Sequence, residues 1–274
     1  MMSSSAYNGN GDSDNRSIYS SYSTLTIPTA CSEYARLKQE TFASGILFED
    51  HDFPADVASL YHRHKPSLGP IVWKRPREIC QNPKFITKSA TRFDIKQGQL
   101  GDCWLLTAVS CLTITPRLFR NVVPPNQFFH RNYAGMFVFR FWQYGEWVEV
   151  CVDDRLPTYQ GQLVYMHSGD PTEFWCSLLE KAYAKLYGSY EALNGSYTAW
   201  ALQDLTGGVA ESYGLDQGSE EHPTFVYTVM GSVIPRSSLL AASIVADDRR
   251  QKRLACGLLT QHTYSVTGIA TDVV

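Results

Sequence analysis

Residues Gln97 to Ala108 carry the residue types that a nucleophilic enzyme needs. The stretch reads Gln-Gly-Gln-Leu-Gly-Asp-Cys-Trp-Leu-Leu-Thr-Ala, with two glycines before Asp102 and Cys103 and an apolar run from Trp104. This order predicts a tight loop that leads into a helix, with Asp102 as its cap and Cys103 in its first turn. A helix N-terminus carries partial positive charge, which lowers the pKa of a thiol there. The sequence therefore predicts a thiolate nucleophile at Cys103.

Cys103 differs from the other cysteines of the sequence. The seven cysteines are scattered, odd in number and never spaced as Cys-x-x-Cys, and they occupy positions 31, 80, 103, 111, 151, 176 and 256. This usage predicts reduced thiols instead of a disulfide framework or a zinc site. A free cysteine is usually inert core filler. Cys103 alone combines preceding glycines, a helix start and a neighbouring tryptophan, so it is the candidate nucleophile.

A cysteine nucleophile also needs a general base and donors for the oxyanion. A strand predicted over 258–268 places His262 and Tyr264 on one face. His262 is the candidate base, although a histidine in an apolar strand is by itself more often a hydrogen-bonded core residue than a catalyst. Either Gln97 or Gln99 offers a side-chain amide that would stabilise an oxyanion together with a backbone N–H. The residues alone leave both glutamines open.

Periodic patterns elsewhere in the sequence mix helices with strands. Helices are predicted over residues 32–44, from 103 to before 116, from 116 to 124, from 170 to 187 and over 198–205. Strands are predicted as a hairpin over 135–154 and as short runs within 158–167, 225–229, 232–234 and 258–268. These elements together predict an α+β fold.

Two of the predicted helices and the hairpin have clear buried faces. In the helix predicted from residue 103, the expected buried positions are Leu105, Leu106, Val109 and Leu112. In the helix predicted from residue 170, they are Trp175, Leu178, Leu179, Ala182 and Leu186. In the hairpin, Phe137, Phe139 and Phe141 share one face, and Tyr144-Gly145-Glu146 forms the turn. The natural interpretation of all three faces is core packing.

Composition narrows the classes of function. The 274 residues are 44% hydrophobic and 13% aromatic, which suits one two-lobed unit or two small domains. The formal net charge of −3 gives no reason to expect nucleic acid as a partner. The sequence shows no basic-then-apolar leader and no apolar run of membrane-spanning length. A cytoplasmic protein without stable membrane insertion is therefore expected.

Three further segments bear on the organisation of the chain. Residues 1–30 are polar with almost no aliphatic side chains, which predicts a disordered tail. Thr206-Gly-Gly-Val209 has two adjacent glycines, which predicts a hinge between two lobes. His62 and His64 form a His-x-His pair without a second cluster of ligands nearby, so surface histidines are expected instead of a metal site.

Several segments resemble the calpains, the intracellular calcium-dependent cysteine proteases. The stretch 97–108 resembles the nucleophile segment of that family, and 90–94, 173–185, 188–193 and 261–268 resemble its other segments. The resemblance covers roughly residues 40 to 270. It implies a two-lobed papain-like cysteine protease core, in which a largely helical first lobe over 31–206 is intact and a β-rich second lobe over 209–274 is incomplete.

The resemblance also implies roles for the three candidate catalytic residues. Cys103 matches the nucleophile of the family, His262 matches its base, and Gln97, not Gln99, matches its oxyanion-hole glutamine. The family has glycine where Gln261 stands and usually alanine where this sequence has Thr263. Protein substrates are implied.

Calcium is implied by the same resemblance. No EF-hand loop is present in the sequence, but calpain catalytic cores bind calcium through loops that are not EF-hands. Asp94 and Glu173 match side-chain carboxylate ligands of the family, and Thr87 and Ser89 match positions that offer backbone carbonyls. The family has glycine where Ser89 stands. Arg92 matches an arginine of the family's calcium-driven switch. Oxygen ligands of this mixed kind are those that calcium prefers.

Two hypotheses follow from the resemblance. The sequence ends at Val274, shortly after His262, whereas the orienting asparagine and second-lobe calcium ligands of calpains come later. The first hypothesis is a calcium-dependent endopeptidase that performs limited proteolysis of intracellular proteins. The second is a catalytically weak or inactive truncated isoform or fragment that acts as a regulatory or binding protein. Further calpain domains or a regulatory subunit in a full-length product remain open.

Overall fold

The computed structural model describes residues 33–63, 69–215, 223–234, 238–245 and 251–270. The tail expected over 1–30 and the second histidine of the His-x-His pair lie outside these ranges. His62 lies within them, and its Nδ1 is 3.3 Å from a carboxylate oxygen of Glu191. None of the helices in the described ranges has the length and apolar character needed to cross a bilayer.

The described residues include eight α-helices and seven strands. In chain order they are α1 (Glu33–Ser44), α2 (Val57–Leu60), β1 (Val72–Lys74), α3 (Pro76–Ile79), a 3-10 turn (Arg92–Asp94), α4 (Cys103–Thr113), α5 (Pro116–Val122), β2 (Met136–Gln143), β3 (Glu146–Asp153), β4 (Leu156–Tyr159), β5 (Gln162–Leu163), α6 (Trp175–Tyr187), a second 3-10 turn (Glu191–Leu193), α7 (Thr198–Thr206), α8 (Pro223–Val233), β6 (Leu240–Ile244) and β7 (His262–Val266). Three antiparallel sheets pair as β1-β4-β5, β2-β3 and β6-β7. The α+β class is confirmed.

Helix α4 lies inside the protein and touches both α-helical and β-strand neighbours. Eight of its eleven residues are buried, including the four predicted by its spacing. It packs against α5, α7, β6 and β7. The indole Nε1 of Trp104 donates to the backbone oxygen of Leu193 at 2.9 Å, so even its polar atom is satisfied in the core. Burial of each large apolar side chain on α4 stabilises the fold by about 1.5–3 kcal/mol.

The predicted hairpin forms as strands β2 and β3. Phe137, Phe139 and Phe141 are all at most 1% exposed. They pair across the hairpin with valines of β3. Tyr144 and Gly145 have positive φ angles of 53° and 91°, which is the backbone that a two-residue hairpin turn requires. Alternation and turn chemistry were sufficient to predict this element.

Helix α6 has the apolar stripe that was predicted, but it also buries two ionisable side chains, Glu180 and Lys181. Lys181 is fully buried, and its ammonium donates to the Asp153 carboxylate at 2.6 Å, to the Asp153 carbonyl at 3.0 Å and to the Arg155 carbonyl at 2.7 Å. All three ammonium donors are therefore used. Burial alone would raise the pKa of Asp153, but the charge of Lys181 and the hydrogen bonds from Arg155 outweigh it and bring that pKa to about 2. The other buried ionisable side chain, Glu180, lies beside the candidate active site.

Helix α6 begins later than the sequence predicted. The prediction started the helix at Asp170, whereas the helix starts at Trp175. The Asp170 carboxylate accepts hydrogen bonds from the backbone N–H and the hydroxyl of Thr172 at 2.9 and 2.7 Å, and this local turn replaces the first helical turn. The predicted end is correct, because Gly188 caps the helix with a left-handed φ of 94°.

The strands predicted over 225–229 and 232–234 are wrong, because residues 223–233 form helix α8. The run is rich in valine, threonine and aromatic residues, and a short apolar run of that kind is ambiguous between strand and helix. Pro223 suits the first helical position, and the Thr228 hydroxyl donates to the Thr224 carbonyl one turn earlier at 2.8 Å. Strand β6 was not predicted, since its Leu-Ala-Ala-Ser-Ile sequence has weak strand propensity.

Replacement of Lys181 by methionine is expected to destabilise the protein by roughly 3–5 kcal/mol, because it leaves the buried Asp153 with less compensation. Urea unfolding at pH 7 measures the change. Arg36→Met is the control, since Arg36 forms an exposed pair with Glu40 that contributes under about 1 kcal/mol. Equal losses in the two variants would contradict the assigned role of the buried pair.

Candidate active site

The segment 97–102, called here the Cys103 loop, is held by close backbone contacts. A Cβ at Gly98 would lie 2.3 Å from the Val164 carbonyl oxygen and 2.4 Å from that of Tyr165. A Cβ at Gly101 would lie 2.3 Å from Oδ1 of Asn194. Both contacts are far inside van der Waals distance, so these two positions accept glycine alone without a shift of their neighbours. The glycines that identified this stretch thus serve close packing of the loop.

Cys103 is the first residue of α4, and its thiol is half-buried. Burial raises the pKa of the Cys103 thiol, and the neighbouring Asp102 carboxylate raises it further. Contacts with Thr263 and with the Trp104 N–H offset this rise only in part. The sequence predicted a lowered thiol pKa from the helix N-terminus, whereas the surroundings in this conformation favour the neutral thiol.

Asp102 occupies the N-cap position of α4, as predicted, but its side chain makes no capping hydrogen bond. Its backbone carbonyl accepts the N–H groups of Leu105 and Leu106 at 2.8 and 3.1 Å. The carboxylate is 1% exposed and lies against Glu180 of α6. Glu180 is not among the predicted site residues, although a glutamate in the middle of a strongly apolar helix is a recognisable signal.

Gln97 is exposed, and its Nε2 donates to the carbonyl of Leu100 at 2.8 Å. Its amide also lies near enough to Asp102 to favour the ionised form of that carboxylate. The backbone N–H of Gln99 is bonded to the Val164 carbonyl at 2.9 Å. Gln97 therefore lies in the same loop as the nucleophile, with its amide engaged within that loop.

The strand that carries His262 packs directly on α4. The Thr107 hydroxyl donates to the Thr263 carbonyl at 3.2 Å, and the Cys111 thiol donates to the Leu240 carbonyl at 3.2 Å. These two bonds attach both strands of the β6-β7 sheet to the helix of Cys103. The predicted histidine strand is therefore brought to the nucleophile helix.

The residue beside the Cys103 thiol is Thr263, not His262. Successive side chains of a strand point to opposite faces, so His262 shares its face with Tyr264 instead. Their ring centroids are 4.9 Å apart in a T-shaped contact, as the predicted shared face requires. Within the described ranges, no hydrogen bond joins Cys103 to His262.

Two of the candidate calcium ligands are in contact. Glu173 is 2% exposed, and its Oε1 accepts the Thr87 N–H at 2.7 Å and the Thr87 hydroxyl at 3.0 Å. Its Oε2 accepts the Ser168 hydroxyl at 2.9 Å. The carboxylate thus accepts three hydrogen bonds from protein donors, and calcium would compete with them.

The other two candidate ligands are less closely connected. Asp94 Oδ2 accepts the Thr91 N–H at 2.6 Å, and Ser89 is exposed. In the described part of the chain, no group of three or more His, Cys, Asp or Glu side chains is arranged to hold a metal ion.

A cavity of about 670 Å³ is lined by 84–90 and 123–130, and it includes neither Cys103 nor His262. The donor chemistry suits calcium, while this conformation is closed around Glu173.

Known proteins match this chain over most of its length. The family described as "Calpain family cysteine protease" matches residues 48–273. Calpain-9 of Rattus norvegicus is 47% identical over 246 residues, which cover 89% of this chain and 35% of the relative. Calpain-A of Drosophila melanogaster is 48% identical over 238 residues, which cover 86% of this chain and 28% of the relative. Calpain clp-4 of Caenorhabditis elegans is 50% identical over 233 residues, with 85% and 32% covered. The chain spans about a third of the length of these curated relatives.

Gly98→Ala is expected to lower the free energy of unfolding by roughly 1–3 kcal/mol, because the added methyl group meets backbone oxygens that cannot move freely. Gly268→Ala is the control, since a Cβ there meets nothing within 4 Å. Its effect should stay within about 0.5 kcal/mol. Chemical unfolding of both variants measures the difference, and an unaffected Gly98→Ala would show that the Cys103 loop is not tightly held.

Proposed function

The chain belongs to the calpain family of cysteine proteases, and from that premise we propose that it is a calcium-dependent endopeptidase acting on intracellular proteins through Cys103 and His262. We assign the nucleophile to a first lobe over 31–206 and the base to a second lobe that begins at residue 209. The observation that carries the proposal is the docking of β7 on α4, which places the neighbour of His262 beside the Cys103 thiol.

In the proposed reaction, Cys103 Sγ attacks the carbonyl carbon of the scissile peptide bond. The first N–H groups of α4 have no partner within the helix, so the Cys103 N–H is free to donate to the developing oxyanion. The Gln97 amide would be the second donor after release from the Leu100 carbonyl. His262 would take the thiol proton and pass it to the leaving amine, after which water hydrolyses the acyl-enzyme.

The conformation described here supports a resting state of this enzyme. His262 faces Tyr264, and the surroundings of Cys103 keep its thiol neutral. A change in the position of β7 on α4 would bring the imidazole to the thiol. The hydrogen bond from Thr107 to the Thr263 carbonyl is the contact that such a change has to alter. Closure steps of this kind commonly complete catalytic sites.

We propose calcium as the regulator, held by the carboxylates of Asp94 and Glu173 and by the backbone carbonyls of Thr87 and Ser89. When bound, calcium would supply positive charge that neutralises the two carboxylates and orders the segments that carry them. On this chain, Glu173 would exchange hydrogen bonds from Thr87 for the ion.

The second candidate function is that of a catalytically weak calpain-like protein with a regulatory or binding role. The contact of Cys103 with Thr263 in place of His262 favours it, because a thiol without a facing base is a poor nucleophile at neutral pH. The two candidates differ in whether calcium makes Cys103 reactive.

Labelling by a peptidyl electrophile is expected to modify Cys103 in the presence of calcium and to be lost in Cys103→Ala. Mass spectrometry of the labelled peptide gives the site. Cys256→Ala is the control, because Cys256 is an exposed free thiol. Cleavage of an unfolded protein should follow the same pattern. If calcium leaves Cys103 no more reactive than Cys256, the endopeptidase proposal fails and the second candidate stands.

Asp94→Asn is expected to raise the calcium concentration for half-maximal labelling by at least about tenfold, because it removes a charged ligand. Glu40→Gln, which removes an exposed carboxylate of α1, should leave that concentration unchanged. A calcium titration of labelling measures both. An unchanged half-maximal concentration in Asp94→Asn would remove Asp94 from the proposed site.

A further inference from the structure

A pair of buried carboxyl groups lies directly behind Cys103. Asp102 comes from the start of α4 and Glu180 from the middle of α6, and each is 1% exposed. Their side chains are in hydrogen-bonding contact with each other. The pair therefore connects the Cys103 loop to α6, the helix that also buries Lys181 against Asp153.

The hydrogen-bond partners of this pair are incomplete if both groups are ionised. Glu180 Oε2 accepts the Met166 N–H at 2.9 Å. Glu180 Oε1 and both oxygens of Asp102 are buried without a hydrogen bond of normal geometry, although the Gln97 amide lies close enough to Asp102 to favour its ionised form. Within the described ranges, no lysine, arginine or histidine forms an ion pair with either group.

The titratable groups that face the pair are neutral at physiological pH. They are the thiols of Cys103 and Cys176 and the phenols of Tyr165 and Tyr190. Two adjacent carboxylates out of water cannot both ionise without a cation, because desolvation and mutual repulsion both disfavour the second charge. One proton between them would give each facing oxygen a partner.

We propose that Asp102 and Glu180 share a single proton at neutral pH, and that this acid pair positions the Cys103 loop and sets the ionisation of the Cys103 thiol. The pair's proton is independent of any activity, whereas its importance for a nucleophile rests on the proposed function. Asp102 and Glu180 are positioning residues, since neither touches the substrate.

The proton belongs mainly to Glu180. Burial raises the pKa of Glu180 well above its ordinary value, and the charge of Asp102 raises it further. Burial also raises the pKa of Asp102, to about 6, while the hydrogen bond from Glu180 opposes that rise. At neutral pH, Glu180 therefore donates to an ionised Asp102. The charge of Asp102 lies against Cys103 and competes with a thiolate for the positive N-terminus of α4.

The shared proton has a direct effect on stability. Folded Glu180 keeps its proton at neutral pH, whereas unfolded glutamate has lost it above a pH of about 4.3. The folded state therefore binds one more proton, and stability falls as the pH rises until folded Glu180 titrates. Asp102 contributes little between pH 7 and 8.5, because a pKa of about 6 leaves it mostly ionised there in the folded state as well.

Urea unfolding of the full chain between pH 7 and 8.5 tests the proton. Glu180→Gln replaces the protonated acid, since its amide can donate to Asp102 and accept from Met166. The ratio of the unfolding equilibrium constant of the unmodified chain to that of Glu180→Gln should rise about tenfold for each pH unit. Glu40→Gln should show the slope of the unmodified chain. Parallel slopes for Glu180→Gln and the unmodified chain would overturn the shared proton.

Alkylation by iodoacetamide, followed at the Cys103 peptide by mass spectrometry, tests the effect on the thiol. Asp102→Asn still accepts the Glu180 proton but removes the charge, so the pH midpoint of alkylation should fall by about one unit. Glu40→Gln should leave the midpoint unchanged. An unchanged or higher midpoint in Asp102→Asn would overturn this part of the proposal.

The two proposals fail separately. A lowered midpoint in Asp102→Asn, together with no calcium-dependent cleavage by the unmodified chain, supports the acid pair and defeats the endopeptidase. Calcium-dependent cleavage by the unmodified chain, together with an unchanged midpoint in Asp102→Asn, supports the endopeptidase and defeats the acid pair. Because iodoacetamide reports thiol ionisation without a substrate, neither result depends on proteolysis.

Discussion

Close backbone packing around the Cys103 loop is the constraint on which the rest of the site depends. Gly98 and Gly101 let the loop approach the backbone of 164–165 and the side chain of Asn194. This approach presses the start of α4 into the protein, so that Asp102 turns inward and Cys103 is half-buried. The burial that fixes the position of the thiol also raises its pKa.

The same constraint links three features that lie apart in the sequence. α6 receives the inward-turned Asp102 through Glu180, and one residue later it holds the buried Lys181 with its three acceptors. On the other side, α4 receives β7 through Thr107. The nucleophile is thus placed between a rigid, charge-bearing helix and a strand attached by few hydrogen bonds. Because fewer hydrogen bonds hold the strand than the helix, we propose β7 as the part that moves.

Sequence patterns predicted the elements with strong local signals and failed where tertiary contacts decide. The β2-β3 hairpin followed from alternation and a two-residue turn, and the buried face of α4 followed from its spacing. The pattern of helix α8 predicts strands instead, because a short run of β-branched residues is ambiguous between strand and helix. The position of Cys103 was predictable from its glycines, but its neutral thiol was not, since burial and the inward turn of Asp102 arise from packing. The facing of Thr263 instead of His262 depends on strand register, which no local pattern gives.

Cys103 has no facing base in this conformation, and we propose that it gains one when β7 moves. Ultraviolet absorbance of the thiolate, measured against pH as the difference between the unmodified chain and Cys103→Ala, tests it most directly. Without calcium, the thiolate of Cys103 should appear only above the ordinary range of a free thiol. With calcium, a second titration should appear below neutral pH, as expected for a thiolate beside an imidazolium. A low-pH titration already present without calcium would show that Cys103 has a facing base before β7 moves.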